Sequence, residues 1–127
     1  MTEQIKMVVE FHEKFLQDMK TEPSLLPLAE ARLRYALGQE ELDEYMEAAV
    51  DNDIVETLDS FADQLYILIG SIVKHGMQDM IVPAFKLVHE NNMRKLGPDG
   101  KPIFREDGKI IKPEGFEKVE LKTLFEK

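Results

Sequence analysis

The chain has 127 residues, a net charge of −9 from 16 Lys and Arg against 25 Asp and Glu, and no cysteine. That length supports one domain around a single core. The acid excess argues against a nucleic-acid partner, which relies on clustered Lys and Arg, and the lack of cysteine excludes disulfides and thiolate metal sites. Met1-Thr2-Glu3-Gln4 opens no signal peptide, and no apolar run approaches the roughly 20 residues that span a bilayer, so a cytoplasmic protein without a membrane partner is expected.

In chain order, the apolar spacing of Ile5, Val8, Val9, Leu16 and Met19 predicts a first helix over about residues 2–19, with His12 on the same stripe. Pro23 and Ser24 mark a loop. A second helix is predicted over about 27–50, and Gly38 inside it, which costs about 1 kcal/mol relative to Ala, implies close packing against a neighbour. Asp51-Asn52-Asp53 is a short turn with Asp53 as N-cap of a third helix, so the second and third helices are expected to be antiparallel neighbours. That third helix is predicted to end at Lys74-His75-Gly76, with Gly76 as the residue after the cap. A fourth is expected from about 79 to 95, capped by Asp79, with Pro83 tolerated in its first turn. Beyond Gly97-Pro98-Asp99-Gly100, Asp107-Gly108 between short apolar runs predicts a β-hairpin that also holds Lys101, Arg105 and Lys109. The fold class expected is all-α: a compact four-helix bundle in one domain, residues 1–127, with a helical core to about 96 and a C-terminal hairpin arm over about 97–127.

The chemistry is concentrated between Glu40 and Asp63. Glu41 and Glu44 are spaced i, i+3 on the second helix, as are Glu56 and Asp59 on the third, so each pair shares a helix face and can hold one ion. Relative to Leu33, the residues Ala29, Leu37 and Ala48 and the acids Glu40, Glu44 and Glu47 all fall within roughly 60°, so carboxylates continue an apolar stripe. A solvated acidic face is the competing reading, and on the third helix Glu56, Asp59 and Asp63 do lie opposite the stripe of Ile54, Leu58, Phe61, Leu65 and Ile72. Against it, residues 51–73 contain no Lys, Arg or His, whereas an exposed helix normally mixes both signs. Carboxylates that enter a buried face without basic partners require another cation.

With these residues in place, Glu41-x-x-Glu44 followed by Glu56-x-x-Asp59 resembles the metal-binding signature of the all-α nucleoside triphosphate pyrophosphohydrolases, the MazG and phosphoribosyl-ATP pyrophosphohydrolase-like superfamily. The resemblance extends to Phe11-His12, Leu33-Arg34, Asp63-Gln64-Leu65-Tyr66, Gly76, Asn92-Met93-Arg94-Lys95-Leu96 and the tail from Asp99 to Lys112, as in its small single-domain phage and bacterial branch. It implies Mg²⁺-dependent hydrolysis of a nucleoside triphosphate to the monophosphate and pyrophosphate, with Mn²⁺ as a substitute ion. It further implies that Glu41, Glu44, Glu56 and Asp59 hold metal, that Glu40 or Glu41 acts as the catalytic base, and that Asp63 supports the ligands from behind. Asn92, Lys95, Arg34 and His12 would bind substrate. Subunits would pair as a homodimer or a dimer-of-dimers tetramer.

Two other classes fit parts of the same sequence. A di-iron carboxylate bundle calls for Glu-x-x-His, and none of His12, His75 and His89 has a Glu three residues before it. A non-catalytic acidic helical module for oligomerisation needs no site at all, and metal binding separates it from the enzyme.

Overall fold

Asp53 sets the start of the helix on which the two before it pack. Its Oδ1 accepts from the Glu56 N–H at 3.0 Å, satisfying a donor that the first turn would leave unpaired, and Asn52 before it takes a left-handed φ of 53° to reverse the chain. In the computed structural model, which describes residues 1–126, the helices are α1 (Thr2–Lys14), α2 (Leu28–Val50), α3 (Ile54–Lys74) and α4 (Ile81–Met93), followed by a 3₁₀ turn at Lys122–Phe125. No strand forms among the described residues, so the all-α class expected from the sequence holds.

The chain divides into two compact units, Met1–Asp79 and Met80–Lys127. In the first, α2 and α1 both pack on α3, and the buried residues include Ile5, Val8, His12, Ala48, Ser60, Ile69, Gly70 and Val73. Arg34 staples α2 to α3: its Nε donates to Ser71 Oγ at 2.9 Å and its Nη2 to the Ile67 carbonyl at 2.7 Å. Gly70 makes room for that staple, because a Cβ there would sit 2.7 Å from Arg34 Nη2 and 3.3 Å from His12 Nε2. Gly76 ends the helix at φ 69°, and a Cβ there would collide with the Glu22 carbonyl.

Three local expectations are corrected. The apolar pattern that predicts α1 to Met19 runs past its end at Lys14, because Leu16 adopts φ 55°, a conformation a right-handed helix cannot continue, and points its side chain to solvent. Gly38 packs against nothing: a Cβ there meets no atom within 4 Å. Helix α4 is capped by Met80, with no side-chain bond, rather than by Asp79, and stops at Met93 because the next three N–H groups turn tightly back onto Asn91, Asn92 and Met93 carbonyls.

The second unit holds α4 and the tail. Asn91, buried, accepts from the Val119 N–H at 2.8 Å and donates to the Glu117 carbonyl at 3.1 Å, clamping the tail on α4. The hairpin arm is not formed as strands. Its Asp107-Gly108 turn exists, with Gly108 at φ 84° and bonds from Arg105 N to Lys109 O and from Ile111 N to Ile103 O, both 2.7 Å, but only Phe104 and Ile110 pair. Two such short runs without a third strand bury too little to extend the ladder.

Candidate metal centre

The short turn at residues 51–53 folds α3 back along α2, which brings the two sets of acids to opposite walls of one cleft of about 490 Å³. Glu41, Glu44 and Glu47 come from α2, Asp51 and Asp53 from the turn, and Glu56, Asp59 and Asp63 from α3. On α3 these acids lie at i, i+3 and i+7, so they share a side. Alone, that side reads as an ordinary solvated face; in the fold it is a wall.

Within the cleft, one carboxylate oxygen from each of Glu41, Glu44 and Asp63 lies within 4.8 Å of the other two. Glu41 and Asp63 are half-buried, and Glu41 Oε2 is enclosed without any hydrogen-bond partner. Ion pairs of the described residues occur at Glu3–Lys6, Glu10–Lys14 and Arg105–Asp107, none of them in the cleft. Burial pushes the Glu41 pKa up to about 7, with the adjoining Glu44 carboxyl as the next cause, followed by the charges of Asp63 and Glu40. Asp63 is raised for the same reasons, burial first and then the charge of Asp59. A buried oxygen with no partner, among carboxylates that repel one another, is a donor set for a hard divalent cation such as Mg²⁺, and the residues present fit one.

Four expected ligands therefore line the cleft, with Glu41 and Glu44 in the tight cluster and Glu56 and Asp59 outside it. Asp63, expected behind the ligands, takes a place among the converging oxygens. Glu40 is exposed on the flank of α2 and contributes its charge to Glu41. Arg34 spends two donors on α3, and burial lowers its pKa. His12 is only 4% exposed and packs at Gly70; burial lowers its pKa, and the charges of Lys74 and Arg34 add to that effect while the Asp18 backbone opposes it. Asn92 is exposed and Lys95 half-buried, and both belong to the second unit. Of the cleft acids that the signature passed over, Asp51 and Asp53 belong to the turn and Glu47 to α2. The position of Glu47 three residues after Glu44, on the stripe shared with Glu40, was the signal for it.

Antiparallel helices that face carboxylates across a cleft, in an all-α chain, fit the MazG-like all-α NTP pyrophosphohydrolase superfamily, and the match to a family model assigns the chain to it. Within that superfamily, residues 8–92, more than half of the chain, match the model of the phosphoribosyl-ATP pyrophosphohydrolase family, and the chain belongs to that family. It is accordingly a pyrophosphohydrolase, a hydrolase of acid anhydrides acting on a nucleotide. No curated protein matches it. No helix among the described residues is long and apolar enough to cross a membrane.

Proposed function

We propose that the chain hydrolyses a nucleoside triphosphate, in the cytoplasm and with Mg²⁺, to the nucleoside monophosphate and pyrophosphate, acting in control or cleansing of the nucleotide pool. The observation that carries this reading is the convergence of Glu41, Glu44 and Asp63, with the Glu41 Oε2 oxygen buried and unpartnered. Glu41, Glu44 and Asp63 would hold the ion, with Glu56 and Asp59 available to a second one or to a shifted position of the first. A divalent ion held there supplies charge neutralisation of the phosphates and a lowered pKa for water. Glu40 stands outside the cluster, so its carboxylate stays free to accept the proton of an attacking water. Asn92 and Lys95 are assigned to the triphosphate, on the strength of the family resemblance and of their donor chemistry.

The test is a screen of ribo- and deoxyribonucleoside triphosphates together with phosphoribosyl-ATP, with pyrophosphate and phosphate read out separately. Pyrophosphate release from at least one of them, dependent on divalent metal, is the expected result; phosphate alone would overturn the reaction. Lys95→Ala should weaken nucleotide binding and turnover while leaving Mg²⁺ binding in place. A residue that serves only the end of α4 would instead cost about 0.3–1 kcal/mol of stability and leave kinetics unchanged.

We further propose that the protein works as a homo-oligomer. Tyr35, Leu42, Met46 and Val50 of α2 and Ile54, Leu58, Phe61, Leu65 and Leu68 of α3 are all exposed. On each helix they fall within a roughly 80° arc, away from the acids. Five of these nine side chains also line a second hollow of about 580 Å³ between the helices, which places both arcs on one side of the pair.

A further inference from the structure

The aromatic residues at the α1–α3 contact are more exposed than packing requires. Phe15 stacks on Phe11 with ring centroids 4.4 Å apart and planes at 24°, and Phe11 meets Tyr66 edge to face at 5.6 Å and 86°. Yet Phe15 is 62% exposed, Tyr66 41% and Phe11 38%. The anchoring of α1 is done instead by Ile5, Val8 and His12, all buried. A stacked pair that leaves ring faces open to water retains an unused surface for a flat π system.

Its position gives that surface a direction. Asp59, Asp63, Tyr66 and Gly70 lie at i, i+4, i+7 and i+11 on α3, so one continuous side of that helix runs from the acidic cluster to the aromatic group. Tyr66 stands one turn beyond Asp63, about 5 Å along the axis at 1.5 Å per residue. On α1, His12 is held at Gly70 and Phe11 at Tyr66, and Phe15 continues the Phe11 side by one turn. Acids that fit a metal at one end and exposed rings at the other match a molecule that is polyanionic at one end and aromatic at the other.

We infer that Phe11, Phe15 and Tyr66 form the seat for the base of the nucleotide, a contact that a base-free polyphosphate or a sugar phosphate cannot make. The inference rests on the acidic cluster being the phosphate end, as in the function proposed above. Ring faces read every base through stacking, so this seat supplies affinity for a base in general, strongest for the larger purine face, without choosing one by hydrogen bonds.

The experiment compares ATP with inorganic tripolyphosphate, with Mg²⁺, in the wild type, Phe15→Ala, Phe15→Leu and Phe15→Tyr. Phe15 is chosen because its exposure lets it change without loss of the α1 anchor, and melting temperatures verify this. The ratio of kcat/KM for ATP over tripolyphosphate should fall about tenfold in Phe15→Ala, through KM, should stay low in Phe15→Leu, which keeps apolar bulk without a ring, and should recover in Phe15→Tyr. An unchanged ratio in Phe15→Ala, or recovery in Phe15→Leu, overturns the seat while leaving the hydrolase reading intact. A wild type that turns over both compounds equally overturns it as well. If neither is hydrolysed, the hydrolase reading is decided by the nucleotide screen above, and titration with α,β-methylene ATP still decides the seat: about tenfold weaker binding to Phe15→Ala than to Phe15→Tyr supports it, and equal binding overturns it.

Discussion

Glu41 is a carboxyl group that the fold keeps partly protonated near neutrality. Its pKa of about 7 lies above the ordinary 4.5, so between these values the folded chain holds a proton that the unfolded chain has released. Stability contributed in this way is present at low pH and is lost as the pH rises through the folded pKa. The metal-free protein should therefore lose melting temperature between about pH 5 and pH 7, and Glu41→Gln should flatten that slope while melting no lower than wild type at neutral pH. The same variant should lose more than about 100-fold in turnover, beyond the 10–100-fold that loss of a supporting partner costs. A lower melting temperature for the variant in metal-free buffer at pH 7 would show the carboxylate to be structural. The Glu41-x-x-Glu44 pair was legible in the sequence because i, i+3 spacing fixes a shared face in any helix. The place of Asp63 was not: its phase on α3 points away from the apolar stripe, and only the position of α2 turns that side into a cleft wall. Arg34 is also opaque to sequence, since its acceptors, Ile67 and Ser71, lie 33 and 37 residues away.

At the scale of elements, two glycines with the same local signature behave in opposite ways. Both Gly38 and Gly70 interrupt a helix, and sequence alone assigns each the same cost relative to Ala. At Gly38 a new methyl group meets nothing, so Gly38→Ala should stabilise the chain by about 1 kcal/mol through α2 propensity. At Gly70 a methyl group must displace the Arg34 guanidinium, which is held by two hydrogen bonds, so Gly70→Ala should destabilise by about 1–3 kcal/mol despite the better propensity. Urea unfolding of both variants checks the contrast; equal shifts would mean that the staple yields freely. Helix ends follow the same division. Those set by local chemistry were readable, as at Asp53 and Gly76. The end of α1 was not, because Leu16 and Met19 continue the apolar spacing after Leu16 has already left the helical conformation. The hairpin turn was readable from Asp107-Gly108, whereas the lack of strands around it depends on what the runs could pack against.

The whole molecule carries a net charge of −9, and the fold concentrates eight acids in one cleft while keeping the α2–α3 apolar side free of them. Crowded carboxylates oppose folding, and an ion that binds only the folded state stabilises it by mass action. Millimolar Mg²⁺ should thus raise the melting temperature by more than Na⁺ at equal ionic strength; an equal rise would reduce the effect to screening. The apolar side leads to a second consequence of the same segregation. Nine large apolar side chains, none less than 47% exposed, share this side, whereas the largest apolar patch of a monomer is on the order of 300–600 Å² and each partner in a stable complex buries roughly 800 Å². Because the acids occupy the other side, two copies can join through this face without bringing their carboxylates together, and an isologous pairing of the two helix pairs makes a four-helix core. Sedimentation velocity at roughly 50 µM should then give at least twice the 14.7 kDa chain mass. Leu65→Glu with Leu68→Glu places two charges on the face, each costing several kcal/mol if buried unpaired, yet little in a free chain where both positions meet water. That double variant should sediment as single chains with its helical circular dichroism retained. A wild type that already sediments as single chains, or a double variant that still associates, would remove this face from the assembly.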